Sequence, residues 1–512
     1  MRKIIALLLV MILTGSVVTG CGKSEGAVKT ESQQSTAESS KAPVPATELS
    51  VLVGSNSSWP YNENWWIWKA LEEATGVRLK ASVVDDATWD EKLNITMASG
   101  TLPDLIFMYD LSAKTFGRQG ALEDLAKHMD KMPNFKKWSE ANPEIFMNSH
   151  DADGGLYIAE STGLGDSNRM GWIYRDDIFK KHNLTVPTNS DEFYSTLVQL
   201  KKLYPDSYPF VFRGNGNLGK MEYTAAQWNA SLYAYAFYPD PSTKKIKYGP
   251  VESNYKDMLT FYNKLYTEKL IPPDFLTLDT KAWTDLISNN KAFITSDYLV
   301  RIDFFNNQIQ PQNPEFNMKY MEPFKGLPDG QNKFTYTAFE GAGYTVTSTG
   351  KKIDTAIKFL DYLYSEEGKE LTSWGKEGET YKVEGGEKKF IDCKDSTEMR
   401  IKYGLSTNGA SLMYDFNATL TLCTPGLKEA YTKSRNFDAN VPIDINLNAG
   451  ENTKVVNICD QLLKRYQEET IKFIMGKKSF GEWDNYVSDM KALGLDEVIS
   501  VYQGAYDRMS SK

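Results

Sequence analysis

The chain has 512 residues, 58 Lys and Arg against 67 Asp and Glu, and a formal net charge of −9. That length exceeds what one hydrophobic core supports, so more than one lobe is expected. The acidic balance excludes a nucleic-acid partner, whose phosphates call for a basic face, and the 4 Cys and 3 His show no CxxC or HExxH spacing.

Arg2 and Lys3 precede an apolar run over residues 4–13, too short to cross a bilayer, which takes about 20 residues. The sequence VTGC at 18–21 resembles a bacterial lipobox. It predicts a signal peptide over 1–20 and acylation of Cys21, with the chain held at the outer face of the cell membrane by its lipid alone. Residues 21–47 are rich in Ser, Thr, Glu, Lys and Gln with almost no core-forming side chain, and predict a disordered tether. Cys393, Cys423 and Cys459 then remain, and one disulfide among them stays open.

Alternating LSVLV at 49–53 predicts a strand that runs into a Gly/Ser/Asn-rich loop. A helix over about 63–75 follows, with Trp65, Trp68, Leu71 and Ala74 at helical spacing and Gly76 as its stop. A strand at 77–84, a helix at 88–99 and a strand at 102–108 complete a strand–helix alternation, the signature of an α/β layer with a largely parallel sheet. Ligands in such sheets sit beyond the carboxyl ends of strands, which singles out Trp59, Tyr109 and Asp110. Further on, strands are expected at 156–159, 170–174, 292–295 and 343–347. Helices are expected at 191–202, 252–269, 281–290 and 352–365 and through most of the last 70 residues.

Several blocks resemble the extracellular solute-binding protein family 1 of ATP-binding-cassette importers, in its aldouronate-transport lipoprotein branch. They are WDEKLNITMASGTLPD at 89–104, IYRDDIFKKHNLTVPT at 173–188, NKLYTEKLIPPDF at 263–275, FLDYLYSEEG at 359–368 and WGKEGETY at 374–381. FIMG at 473–476, EWDNY at 482–486 and LGLDEV at 493–498 continue the pattern. The resemblance implies a two-lobed α/β fold of the type II periplasmic binding kind, with crossing strands, a central ligand cleft, closure on binding and docking to permease subunits. Crossings are expected near 172–175, 292–298 and after 376, giving a first lobe of 48–172 with 298–375 and a second of 173–297 with 376–512.

A sugar site needs aromatic platforms for C–H faces and polar side chains for hydroxyls, and the chain carries 11 Trp and 29 Tyr. Trp172 and Arg175 lie on a presumed crossing strand. Arg213 opens a Gly/Asn loop that lacks the spacing of a phosphate loop, and Trp228 belongs to the same region. Asp297 and Tyr298 fall where the family places a ligand-facing aromatic, and Glu340 and Trp374 complete the candidates. Ser149-x-Asp151-x-Asp153-Gly154 followed by Glu160 has the spacing of a calcium loop but for its first residue, and an Asp-Gly hairpin explains the same residues. No cofactor is expected. The reading is a monomeric carbohydrate receptor that serves a permease. A receptor for a peptide or another solute is the alternative. A polysaccharide-degrading enzyme ranks below both, because neither Asp85/Asp86 nor Asp176/Asp177 can face each other across a cleft.

Overall fold

Leu49, Val51 and Val53 alternate along the first strand, each at most 2 % exposed in one core, while Leu52 turns the other way to join Leu93, Ile106 and Met108. That two-residue period marks a pleated strand covered on both faces. The structure, a computed structural model, describes residues 46–214, 218–232, 236–335, 341–407, 409–440 and 442–510. In chain order its strands are β1 (Thr47–Ser55), β2 (Val77–Asp85), β3 (Leu105–Tyr109), β4 (Ala159–Glu160), β5 (Met170–Arg175) and β6 (Phe210–Val211). Then come the hairpin β7 (Phe237–Pro239) and β8 (Ile246–Tyr248), β9 (Ile294–Tyr298), β10 (Met318–Met321), β11 (Ala342–Val346), and a second hairpin of β12 (Tyr381–Glu384) and β13 (Glu387–Phe390).

The first sheet has the order β2-β1-β3-β11-β4. β1 runs parallel to β2 and β3, and the connections are the helices Trp66–Thr75 and Trp89–Ser99. The first helix ends at Gly76, whose φ of 68° lets its N–H close on Glu72 O at 2.8 Å. Asp104 ties the layer together: its Oδ2 accepts from the Ser50 N–H and hydroxyl, both at 2.8 Å. β11 enters antiparallel between β3 and β4, so the sheet is mixed rather than largely parallel.

The second sheet has the order β10-β5-β9-β6, with β9 parallel to β6 and antiparallel to β5. Residues 294–297 of β9 are all fully buried, as befits an internal strand covered on both faces. One face carries an aromatic core built on Trp172, Phe193, Phe210 and Phe324. The helices Ser253–Thr267 and Ala449–Ile474 belong to the same core.

Among the described residues, the chain passes between the sheets along 161–169, along 322–335, and along 435–440 and 442–448. The expected crossings at 172–175 and 292–298 are instead ladder strands inside the second sheet. The expected division at 297/298 also differs, because β10 is hydrogen-bonded to β5. Residues 381–420, expected with the second lobe, pack on the first sheet's side, whereas the helix Pro425–Ser434 packs on β10 and the helix Arg301–Ile309. No helix among the described residues is long and apolar enough to cross a membrane.

Candidate functional site

β6 and β9 are parallel, so their carboxyl ends lie side by side, and the chain delivers Arg213 from one and Asp297 and Tyr298 from the other. The Arg213 guanidinium grips Asp297 with both arms, Nε to Oδ2 at 2.6 Å and NH2 to Oδ1 at 2.9 Å. Its NH1 donates to Thr280 Oγ1 at 3.1 Å, and the group lies 5.5 Å from the Trp283 ring centroid. Burial opposes the Arg213 charge, but the hydrogen bond and charge of Asp297 hold the guanidinium above its ordinary value. Arg301, four residues beyond Asp297, brings Nε to 3.6 Å from Oδ1. Lys220 Nζ sits 3.8 Å above the centroid of Tyr298 and donates to Met170 Sδ at 3.4 Å. Burial brings this ammonium down to about 8, against the pull of Asp297 and with help from Arg213 and Arg301.

Tyr223, whose ring centroid is 5.7 Å from Lys220 Nζ, connects this cluster to a cavity of about 910 Å³. Glu144 of the first core's side, Tyr238 and Asn254 of the second, and Lys333, Thr335 and Asn440 of the crossing segments line it. Such a crevice between two lobes matches in size the sites that take small ligands.

At the carboxyl end of β3 stand Tyr109, 58 % exposed, and Asp110, the first residue of the helix Asp110–Arg118. One turn on, Lys114 is 3 % exposed and donates to Asp110 at 3.2 Å, Asp444 at 3.4 Å and Asn446 at 3.0 Å. Asn148 clamps the same crossing segment from the other side, accepting from the Asp444 N–H and donating to Pro442 O, both at 3.0 Å. Glu160 of β4 is fully buried beside this group, and neither carboxylate oxygen has a hydrogen-bond partner among the described residues. Burial and then the neighbouring Asp110 push Glu160 up to about 8, with Ser149 and Lys114 pulling the other way.

Of the residues singled out from sequence, Arg213, Asp297 and Tyr298 are gathered in one cluster, and Tyr109 and Asp110 stand at the corresponding strand end of the first sheet. Trp59 is half-buried under the Arg400 guanidinium, 4.5 Å from its centroid. Four others are corrections, since packing already occupies their faces. Trp172 is 1 % exposed and donates Nε1 to Gln227 at 2.9 Å. Trp228 is 4 % exposed, packed on Phe261 and against Gly326. Trp374 stacks on Phe390 at 5.4 Å and donates to Asp415. Arg175 is 1 % exposed, paired with Asp177 through both arms and set over Phe316. Cys21 and Glu340 lie outside the described residues. Asp151 spends its Oδ1 on the N–H groups of Asp153 and Gly155, at 2.9 and 2.8 Å, in a hairpin closed by the His150–Leu156 bridge. Glu160 belongs to the sheet rather than to that turn. Among the described residues no group of three or more His, Cys, Asp or Glu side chains is placed to hold a metal ion, and Cys393, Cys423 and Cys459 are free thiols. Sequence reasoning missed Lys220, Tyr223, Arg301, Lys114 and Asp444. Only the four-residue spacing of Asp297 and Arg301 left a trace, and it is visible once the strand 294–298 is known to lead into the helix Arg301–Ile309.

The chain is similar over most of its length to proteins of one kind. The lipoprotein LipO of Bacillus subtilis (strain 168) is 26 % identical over 465 residues, 84 % of this chain and 86 % of that one. The polygalacturonan/rhamnogalacturonan-binding protein YtcQ of the same strain is 23 % identical over 525 residues, 98 % of each chain. Among solved structures, an HMO-binding ABC-transporter-associated solute-binding protein from Bifidobacterium longum infantis ATCC 15697 superposes with a TM-score of 0.73. At 21 % identity it covers 90 % of this chain and 99 % of its own, a likeness of fold: two lobes of the type II periplasmic binding kind. The model of bacterial extracellular solute-binding proteins matches residues 66–370, which take in β2 through β11 of the two main sheets, and the chain belongs to that family.

Proposed function

We propose that this protein is the substrate-binding component of an ATP-binding-cassette importer, and that it takes an oligosaccharide between its lobes and delivers it to the permease. The observation that carries this reading is the shape and chemistry of the crevice. A cavity of about 910 Å³ along the crossing segments is lined by Tyr223, Tyr238 and Tyr506 with Lys333, Asn254 and other polar side chains, and Tyr223 links it to Lys220. Tyrosine faces suit the C–H patches of a sugar, and the amide and charged groups suit its hydroxyls. The ligands named for YtcQ and for the Bifidobacterium protein support a saccharide. The lobes divide as 46–160 with 342–420, and 170–321 with 449–510, after the sheets and cores, with the helix Pro425–Ser434 lying on β10. Hinge motion in the three links closes them, and ligand contacts from both sides favour the closed state. The protein binds its ligand and returns it unchanged. It acts as a monomer anchored through Cys21, a reading supported by the lipobox-like sequence and by the likeness to a lipoprotein.

A thermal-shift screen with neutral oligosaccharides, acidic oligosaccharides and peptides tests this, because a ligand of the native state raises the melting midpoint by mass action. A rise with one saccharide series is expected. A rise with peptides alone would overturn the saccharide and leave the receptor standing.

A further inference from the structure

Residues 443–447 face two ways. Ile443, Ile445 and Leu447 pack with the core of the second sheet, while Asp444 and Asn446 accept from Lys114 of the helix Asp110–Arg118 at 3.4 and 3.0 Å. Asn446 is bonded from both directions. Its Nδ2 donates to His150 O at 2.8 Å, and its own carbonyl accepts from Arg508 of the helix Leu495–Ser510 at 3.2 Å. Arg508 also holds Glu451 at 2.8 Å, and Glu451 accepts from the Asn448 N–H at 2.8 Å and so starts the helix Ala449–Ile474. This short strap is the joint at which the third crossing enters the second lobe, and Lys114 ties it to the first.

Glu160 stands beside that tie and is left out of it. It is fully buried, and neither carboxylate oxygen has a hydrogen-bond partner among the described residues. The ammonium of Lys114 bonds instead to Asp110, Asp444 and Asn446. The ionisable groups that face Glu160 are Asp110 and Lys114 of one helix, Asp444 of the strap, and Tyr364 after the helix Ile353–Leu363, whose hydroxyl donates to the Glu160 carbonyl oxygen. Ser149 adds a neutral hydroxyl, which donates to Ile145 O at 3.0 Å, and the neighbour in β11 is Gly343. An ionised Glu160 is therefore a third carboxylate around a single ammonium. An unpaired charge at such a depth costs several kcal/mol, so the neutral carboxyl is the form that suits the joint as built.

We infer that Glu160 is a proton switch on this joint: with its proton it leaves Lys114 to hold the strap, and without it Glu160 competes for Lys114 and repels Asp444, so that the strap comes free of the first lobe. The proton passes to solvent and no bond between heavy atoms changes. Pro442 and Ile443 line the cavity, so release loosens its wall and weakens the grip on a ligand. The inference rests on the two-lobed receptor reading above and adds a control to it.

Hydrogen exchange of the full-length chain without ligand tests this, at pH 6.5 and 9.5, on either side of the value of about 8 to which Glu160 is raised. Rates are corrected for the intrinsic pH dependence of amide exchange. At the higher pH, protection of residues 444–448 is expected to fall by about tenfold more than that of β1, the scale of one pKa unit of coupling. Glu160→Gln keeps the neutral shape and should lose this difference between the two pH values. Lys114→Met removes the tie and should leave the strap as weakly protected at pH 6.5 as it is in the wild type at 9.5. Circular dichroism melts check that each variant folds, and the wild-type comparison decides even where one does not. Equal protection of the strap at both pH values would overturn the inference. So would a fall shared equally by β1, which marks a global loss of stability, or a fall that Glu160→Gln retains. No saccharide is present, so such a failure is distinct from a failure of the saccharide reading, which the thermal-shift screen decides.

Discussion

Arg213 and Asp297 close a two-bond ion pair, at 2.6 and 2.9 Å, across the carboxyl ends of two neighbouring parallel strands, and Asp297 is fully buried there. The pair fixes the end of the second sheet at the place where the ligand is proposed to enter. Its strength comes from geometry, since the planar guanidinium matches a carboxylate in both bonds and little water reaches either group.

Asp297→Asn is expected to lower the unfolding free energy by roughly 3 kcal/mol or more, because it leaves the Arg213 charge buried without a partner. Denaturant titration of both chains measures this. A loss below about 1 kcal/mol would mean that water or another group replaces the carboxylate, and the pair would then not be a keystone of this strand end.

Glu160→Gln separates a buried acid from its neutral shape. The folded protein holds the Glu160 proton up to about 8, whereas the unfolded chain releases it near 4.5. Between those values the native state binds more protons than the unfolded one, so this group's contribution to stability falls as pH rises. The variant should match the wild type at low pH and exceed it at pH 8 and above by a few kcal/mol. Parallel stability curves from pH 4 to 9 would sink the claim that Glu160 is held protonated.

Trp374→Ala is expected to cost about 3–5 kcal/mol of stability through the cavity it leaves beside Phe390. Trp228→Phe, a milder change at a core position, should leave ligand affinity within about twofold, as expected of a substitution that touches no ligand. Changes of tenfold or more in affinity for Trp228→Phe would return that ring to the binding surface.

Tyr109→Ala should show the opposite pattern. The ring is 58 % exposed at the end of β3, so stability should stay within about 0.5 kcal/mol while affinity drops by roughly tenfold. Unchanged affinity would remove Tyr109 from the cleft.

Asn148→Ala removes both hydrogen bonds that pin residues 442–444 to the first lobe's side. Faster hydrogen exchange of the Asp444 amide is expected, together with a stability loss of about 1–3 kcal/mol for the groups left unsatisfied. An exchange rate equal to that of the wild type would show that Lys114 and the Asn446–His150 hydrogen bond hold the crossing without Asn148.

The elements that a local pattern encodes were legible. Apolar alternation at 49–53 became β1, and Gly76 stopped its helix as expected, in a left-handed backbone that Gly100 repeats after the next helix. Asn189 capped the helix Ser190–Leu203, within a residue or so of the predicted start. What stayed hidden was long-range. β11 enters the first sheet more than 200 residues after β3, and nothing in AGYTV at 342–346 says which strand it will join. Strand pairing depends on which edge is free when the segment arrives, and one residue window does not contain that information.

The aromatic side chains show the same division. Composition showed that rings were plentiful enough to stack on a ligand, but Trp172, Trp228 and Trp374 share a residue type with Trp59 and not an environment. By itself the sequence determined the α/β alternation and the family. The tertiary structure alone decided which rings are core, and it brought Lys220 to Asp297 and Arg301 from a separate segment. Periodicity and capping act over one or two turns of chain, whereas burial and unmatched charge are properties of a place in space that distant segments build jointly.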